Sequence, residues 1–115
     1  MDVKIAFTGV PVSNLDNGRD FFGRLLGRPA DVEVAADEVM WRLADSAWLY
    51  IVVDPARAGH GLVTLSVADL DATLADLVQR DIAPNGVQAV GGGRKATMFD
   101  PDGNSVAVIQ VPGAS

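Results

Sequence analysis

Cysteine is absent from the 115 residues. That excludes a disulfide framework and thiolate chemistry, and it leaves the compartment unspecified. We expect a cytoplasmic protein. Histidine occurs once, as His60. Basic residues are scarce: 9 Lys and Arg stand against 15 Asp and Glu, for a formal charge of -6. The densest basic pair is Arg94-Lys95. A nucleic-acid partner needs cations clustered against its phosphates, so none is expected. The acidic balance suits solubility, and it suits a cationic ligand. No apolar run approaches the roughly 18 residues of a membrane span. Met1-Asp2-Val3-Lys4 lacks the charged-then-apolar pattern of a leader. No membrane partner is expected. No Ser-His-Asp set, paired-carboxylate site or phosphate loop is visible, so no catalytic residue is assigned.

What is present is a weak internal repeat. Val12-Ser13-Asn14-Leu15-Asp16 matches Val67-Ala68-Asp69-Leu70-Asp71. In each copy an apolar extended run ends in a polar turn, and Leu-Asp opens a helical stretch. The first half reads as a strand over 3–12, a helix over 15–26, and strands near 31–36, 39–44 and 47–53. Ser13 or Asn14 caps the helix, and Gly27 with Pro29 stops it. Phe22, Leu25 and Leu26 form its apolar face. The linker is Asp54-Pro55-Ala56-Arg57-Ala58-Gly59. The second half reads as a strand over 61–67, a helix over 69–80 capped by Asp69, and strands near 87–90, 94–99 and 104–111. Leu70, Leu74, Leu77 and Val78 form the second helix face.

Each half is strand-helix-strand-strand-strand. The expected fold is α+β: two tandem βαβββ modules curled into a half-barrel, helices outside and a groove inside. Residues 1–115 form one domain, with module 1 over about 1–54, a linker over 55–60 and module 2 over about 61–111. The turn Asp100-Pro101-Asp102-Gly103-Asn104 is a hairpin signal and is read as structural.

The chain resembles the vicinal-oxygen-chelate superfamily of glyoxalases, bleomycin-resistance proteins and dioxygenases. The resemblance rests on Phe21-Phe22 followed by Leu25-Leu26-Gly27, on Val67 to Asp71, and on the Asp100 to Asn104 turn. Enzymes of that superfamily hold a divalent metal between paired modules, typically through His and Glu on the first and last strands of each. Carried over through the helix motifs, those positions are Phe7 and Leu62, Val52 and Ala107. A common offset of 55 residues relates each pair. Four apolar side chains supply no donor, so no metal and no cofactor is expected.

Strand parity and the carried-over positions predict the groove lining, and the residues expected to bind a ligand are Phe7, Trp41, Trp48, Tyr50, Val52, His60, Leu62, Met98 and Ala107. Trp48 and Tyr50 share a face with Val52, while Leu49, Ile51 and Val53 face a helix. Ile5 and Gly9 accompany Phe7, Thr64 and Ser66 accompany Leu62, and Ser105 and Ile109 accompany Ala107. Trp41, Arg42 and Met98 extend this wall or point away from it. Trp48 and Tyr50 serve core or dimer packing, or stack on a flat or cationic ligand. His60, between two glycines, is read as a cleft-rim imidazole. Three functions remain open: a metal-free binding protein of the bleomycin-resistance type that sequesters a drug or metabolite, an enzyme of the same superfamily, and an interaction module with a filled groove. The resemblance implies a small-molecule ligand and a homodimer, while the acidic balance favours a cationic ligand and the aromatic lining an aromatic one.

Overall fold

The computed structural model describes residues 1–113. Module 1 comprises β1 (Ala6–Val12), α1 (Leu15–Leu26), β2 (Val32–Ala35), β3 (Glu38–Ala44) and β4 (Ala47–Val53). Module 2 repeats the order with β5 (Leu62–Ser66), α2 (Leu70–Gln79), β6 (Val87–Val90), β7 (Gly93–Phe99) and β8 (Ser105–Gln110). Each module has one four-stranded sheet, ordered β1-β4-β3-β2 and β5-β8-β7-β6. The first strand of each lies parallel to the last, and the remaining pairs are antiparallel. The sheets meet along β1 and β5 without closing into a barrel. The expected α+β architecture of paired βαβββ modules is present.

Local chemistry sets the helix ends. The Asn14 side chain accepts the Asn17 N–H, and the Asp69 side chain accepts the Ala72 N–H. Each satisfies a donor that the first turn leaves unpaired. Gly27, at φ 75°, closes α1 in the left-handed conformation. Helix α1 buries Phe21, Phe22 and Leu25. Helix α2 buries Leu70 and Leu77, but Val78 is 55% exposed. Val78 therefore leaves the predicted apolar face: the stripe runs through Leu70 and Leu77, and the next residue turns about 100° away.

Strand parity does the rest. Val10 and Val12, Val39 and Trp41, and Leu49 and Ile51 pack under the helices from module 1. Val63, Ala96, Met98, Val106 and Val108 do so from module 2, and one contiguous core results. Arg24 and Arg80 cross between the helix ends. Arg24 donates to the Arg80 and Asp81 carbonyls, and Arg80 to those of Arg24 and Leu25.

The strongest polar link between modules lies at the β7–β8 turn. Asn104 is 1% exposed. Its Oδ1 accepts the Gly59 and Gly61 N–H groups at 3.0 and 2.7 Å. Its Nδ2 donates to the Pro11 carbonyl at 2.7 Å and to Asp100 at 2.8 Å. Asp102, in the same turn, accepts from the Ser13 backbone and hydroxyl. Truncating Asn104 leaves these buried partners unsatisfied. Asn104→Ala is expected to cost about 2–4 kcal/mol of unfolding free energy, measured by urea denaturation. A loss below about 0.5 kcal/mol would mean that water replaces the side chain without penalty.

Candidate functional site

The concave faces follow from parity. In β4, Leu49 and Ile51 are fully buried against α1, while Trp48, Tyr50 and Val52 point the other way and are half-buried. The ladder extends this row sideways. Phe7, Gly9 and Pro11 on β1 pair with Trp48, Tyr50 and Val52. Arg42, Met40 and Glu38 on β3 pair with the same three. The Phe7 and Trp48 rings stack, with centroids 6.4 Å apart and planes 25° from parallel. Phe7 nevertheless remains 55% exposed. Tyr50 lies across Gly9: a methyl group there would sit 2.3 Å from its Cζ and 2.4 Å from its Oη. Glycine is what lets the phenol lie along β1.

The matching face of module 2 is less aromatic. Leu62, Thr64 and Ser66 pair with Ser105, Ala107 and Ile109. Phe99, Thr97 and Lys95 continue these rows on β7. Leu62 is 83% exposed, whereas Ala107 is buried. A crevice of about 480 Å³ runs along the seam, lined by Thr8, Leu26, Leu43 and the whole of β5. Of the residues expected to bind, Leu62 alone borders it.

Two expectations are corrected. Trp41 is fully buried, its ring 6.3 Å from that of Phe22 and its Nε1 donating to the Arg28 carbonyl at 3.0 Å. Met98 is buried in the same core. Both have helix-side parity and do not extend the groove wall. His60 is exposed in the linker, where its backbone N–H donates to the Arg57 carbonyl. The constant spacing also fails. Leu62 lies 55 residues after Phe7, but Ser105, the partner of Leu62, lies 57 after Trp48, the partner of Phe7. Two residues are gained before β7. The counterpart of Ala107 is therefore Tyr50, and that of Val52 is Ile109.

In this register the positions that the resemblance implies for metal ligands become Phe7, Tyr50, Leu62 and Ala107. Three hydrocarbon side chains and one phenol do not fit a divalent ion, which takes four or more N, O or S donors. Val52 offers no donor either. Among the described residues, no group of three His, Asp or Glu side chains comes together.

Sequence reading places Glu38 outside the strand, which it starts at Val39, and assigns Met40 no face. Alternation back from the buried Trp41 and Val39 is the signal that finds them. It also separates Arg94 from Lys95. Arg94 turns to the helix side and pairs with Asp71 at 3.0 Å. Its hydrogen bond, then its charge, hold the Asp71 carboxyl below the usual carboxylate range. Lys95 faces the concave side. Asp31 is likewise held low, first by the Arg42 backbone N–H and then by Arg28 and Arg42.

The family model of the Glyoxalase/Bleomycin resistance protein/Dioxygenase superfamily matches residues 4–108, and the chain belongs to that superfamily. A glyoxalase/bleomycin resistance protein from Catenulispora acidiphila is 35% identical, with a TM-score of 0.89, covering 94% of this chain and 98% of that one. TnmS3, an antibiotic binding protein from Streptomyces sp. CB03234, is 28% identical, with a TM-score of 0.74 over 93% of this chain and 94% of that one. A bleomycin-binding protein solved with bleomycin shares the fold at 21% identity and a TM-score of 0.75, covering 91% and 96%. No curated protein matches the chain significantly. Among the described residues, no helix is long and apolar enough to cross a membrane.

The fit of Tyr50 over Gly9 is directly testable. Gly9→Ala is expected to push the phenol off β1 and change the near-ultraviolet circular dichroism. Stability should stay within about 1 kcal/mol, because the far end of a flexible side chain moves. An unchanged spectrum would contradict the placement of the ring.

Proposed function

We propose that the chain binds a small aromatic molecule with cationic character on the concave face of module 1, without a metal, and that it acts by sequestering that molecule. One observation carries the reading. Phe7, Trp48 and Tyr50 form an aromatic row on a face opposite to the core, and the row is left partly open. A stacked pair with Phe7 at 55% exposure is a surface awaiting a planar partner, not a groove filled by its own side chains. This argues against the filled-groove interaction module. The antibiotic-binding relative at 28% identity supports small-molecule binding.

Affinity comes from apolar area removed from water, at about 25 cal/mol per Å² before association costs. A face this open covers only one side of a ligand. We infer that a second copy of the chain completes the groove, as a homodimer, and that the protein works in the cytoplasm. The donor set at Phe7, Tyr50, Leu62 and Ala107 does not favour a metal-dependent enzyme, and among the described residues no acid-base pair stands on either face.

The test is calorimetric titration of chelator-treated protein with bleomycin and other cationic aromatic antibiotics. Trp48→Ala and Tyr50→Ala are each expected to weaken binding about tenfold, the cost of losing a central aromatic contact. Unchanged affinity in both variants, or binding only after divalent metal is restored, would overturn the proposal.

A further inference from the structure

The charges on the concave faces are few and uneven. Among the described strand residues there, only Glu38, Arg42 and Lys95 are charged. Arg42 is held by Asp45 at 3.1 Å. Glu38 and Lys95 are each half-buried, and neither has an ion-pair partner among the described residues. Elsewhere the described arginines are largely matched to carboxylates. A charge drawn out of water without a partner loses hydration and gains nothing in return.

Their positions correspond. Glu38 pairs with Val52, which pairs with Pro11. Lys95 pairs with Ile109, which pairs with Ser66. Glu38 and Lys95 are related by the same shift that relates Tyr50 to Ala107. The internal repeat thus places a carboxylate on one wall where it places an ammonium on the other. The neighbours differ in the same sense. Glu38 shares its face with Tyr50 and Trp48, whose ring faces favour cations. Lys95 shares its face with Thr64, Thr97 and Ser105, whose hydroxyls donate to anions.

We propose that module 1 is the amine half-site and module 2 the acid half-site of one groove, and that the ligand is an elongated amphoteric aromatic molecule with its amine on Glu38 and its carboxylate or phosphate on Lys95. This rests on the binding function proposed above and adds the ligand's charge pattern and orientation. Each charge lies two strands out from the seam, about 10 Å on either side. The two rows are also staggered along the seam, with Pro11 beside Gly61 and Ser66 further along the same strand, so the charges stand at diagonally opposite ends and the ligand is elongated.

The test uses four para-substituted biphenyls: neutral, aminomethyl, carboxylate, and aminomethyl-carboxylate with its charges at opposite ends. Binding is followed by calorimetry on wild type, Glu38→Gln, Lys95→Gln and the exchange variant Glu38→Lys with Lys95→Glu. The amphoteric probe should bind wild type about fivefold more tightly than either singly charged probe, the scale of a partly exposed ion pair. Glu38→Gln should weaken the amine and amphoteric probes only, and Lys95→Gln the carboxylate and amphoteric probes only. The exchange variant should recover the amphoteric preference. All four probes binding alike in every variant would overturn the charge assignment and leave the aromatic binding reading standing. No saturable binding by any probe would overturn both. Variants that shift the monomer–dimer equilibrium in sedimentation but not probe discrimination would assign the two charges to the interface between copies, and would also overturn the proposal.

Discussion

Asn104 is cut off from solvent and meets four partners that belong to different parts of the chain. It holds the linker through two glycine N–H groups, module 1 through the Pro11 carbonyl, and its own turn through Asp100. A carboxamide suits this place because it offers an acceptor and donors on one planar group. Apolar packing alone would leave the modules free to slide, since hydrophobic contact has no direction. The Asn104 bonds, with Ser13 on Asp102 and the Arg24–Arg80 exchange, fix where β1 stands relative to β5. Both concave faces are thereby oriented from a turn that belongs to neither.

From that constraint the division of labour across each sheet follows. One side of every inner strand is aliphatic and sealed under a helix. The other carries what the core cannot use: aromatic rings with polar edges, hydroxyls and a few charges. Module 1 presents Phe7, Trp48 and Tyr50, and module 2 presents Thr64, Thr97 and Ser105. Chains of this superfamily share the scaffold, so it is these exposed rows that distinguish one member's chemistry from another's.

Much of the scaffold was legible in the sequence because it rests on local rules. The α1 span, the Gly27 stop, the Asp69 cap and the Asp100–Asn104 turn depend on residues within a few positions of one another. Parity in β4 was legible too, since Leu49 and Ile51 alternate with Trp48 and Tyr50. The harder elements depend on register between distant strands. Trp41 was ambiguous because both faces of β3 carry large residues, and only its contact with Phe22 decides the side. Val52 was paired with Ala107 by constant spacing, which fails where module 2 gains two residues before β7. Glu38 and Lys95 stayed hidden for the same reason: nothing local relates them, and only the two ladders show that they occupy one position.

The central claim is that the aromatic row of module 1 is a metal-independent ligand face. An amide-proton NMR shift map of chelator-treated protein, titrated with a cationic aromatic antibiotic such as bleomycin, tests it most directly. The account predicts saturable shifts concentrated at Phe7, Gly9, Trp48, Tyr50 and their β3 partners, with the Trp41 indole undisturbed. Shifts confined to the β1–β5 crevice, or appearing only when divalent metal is added, would contradict it.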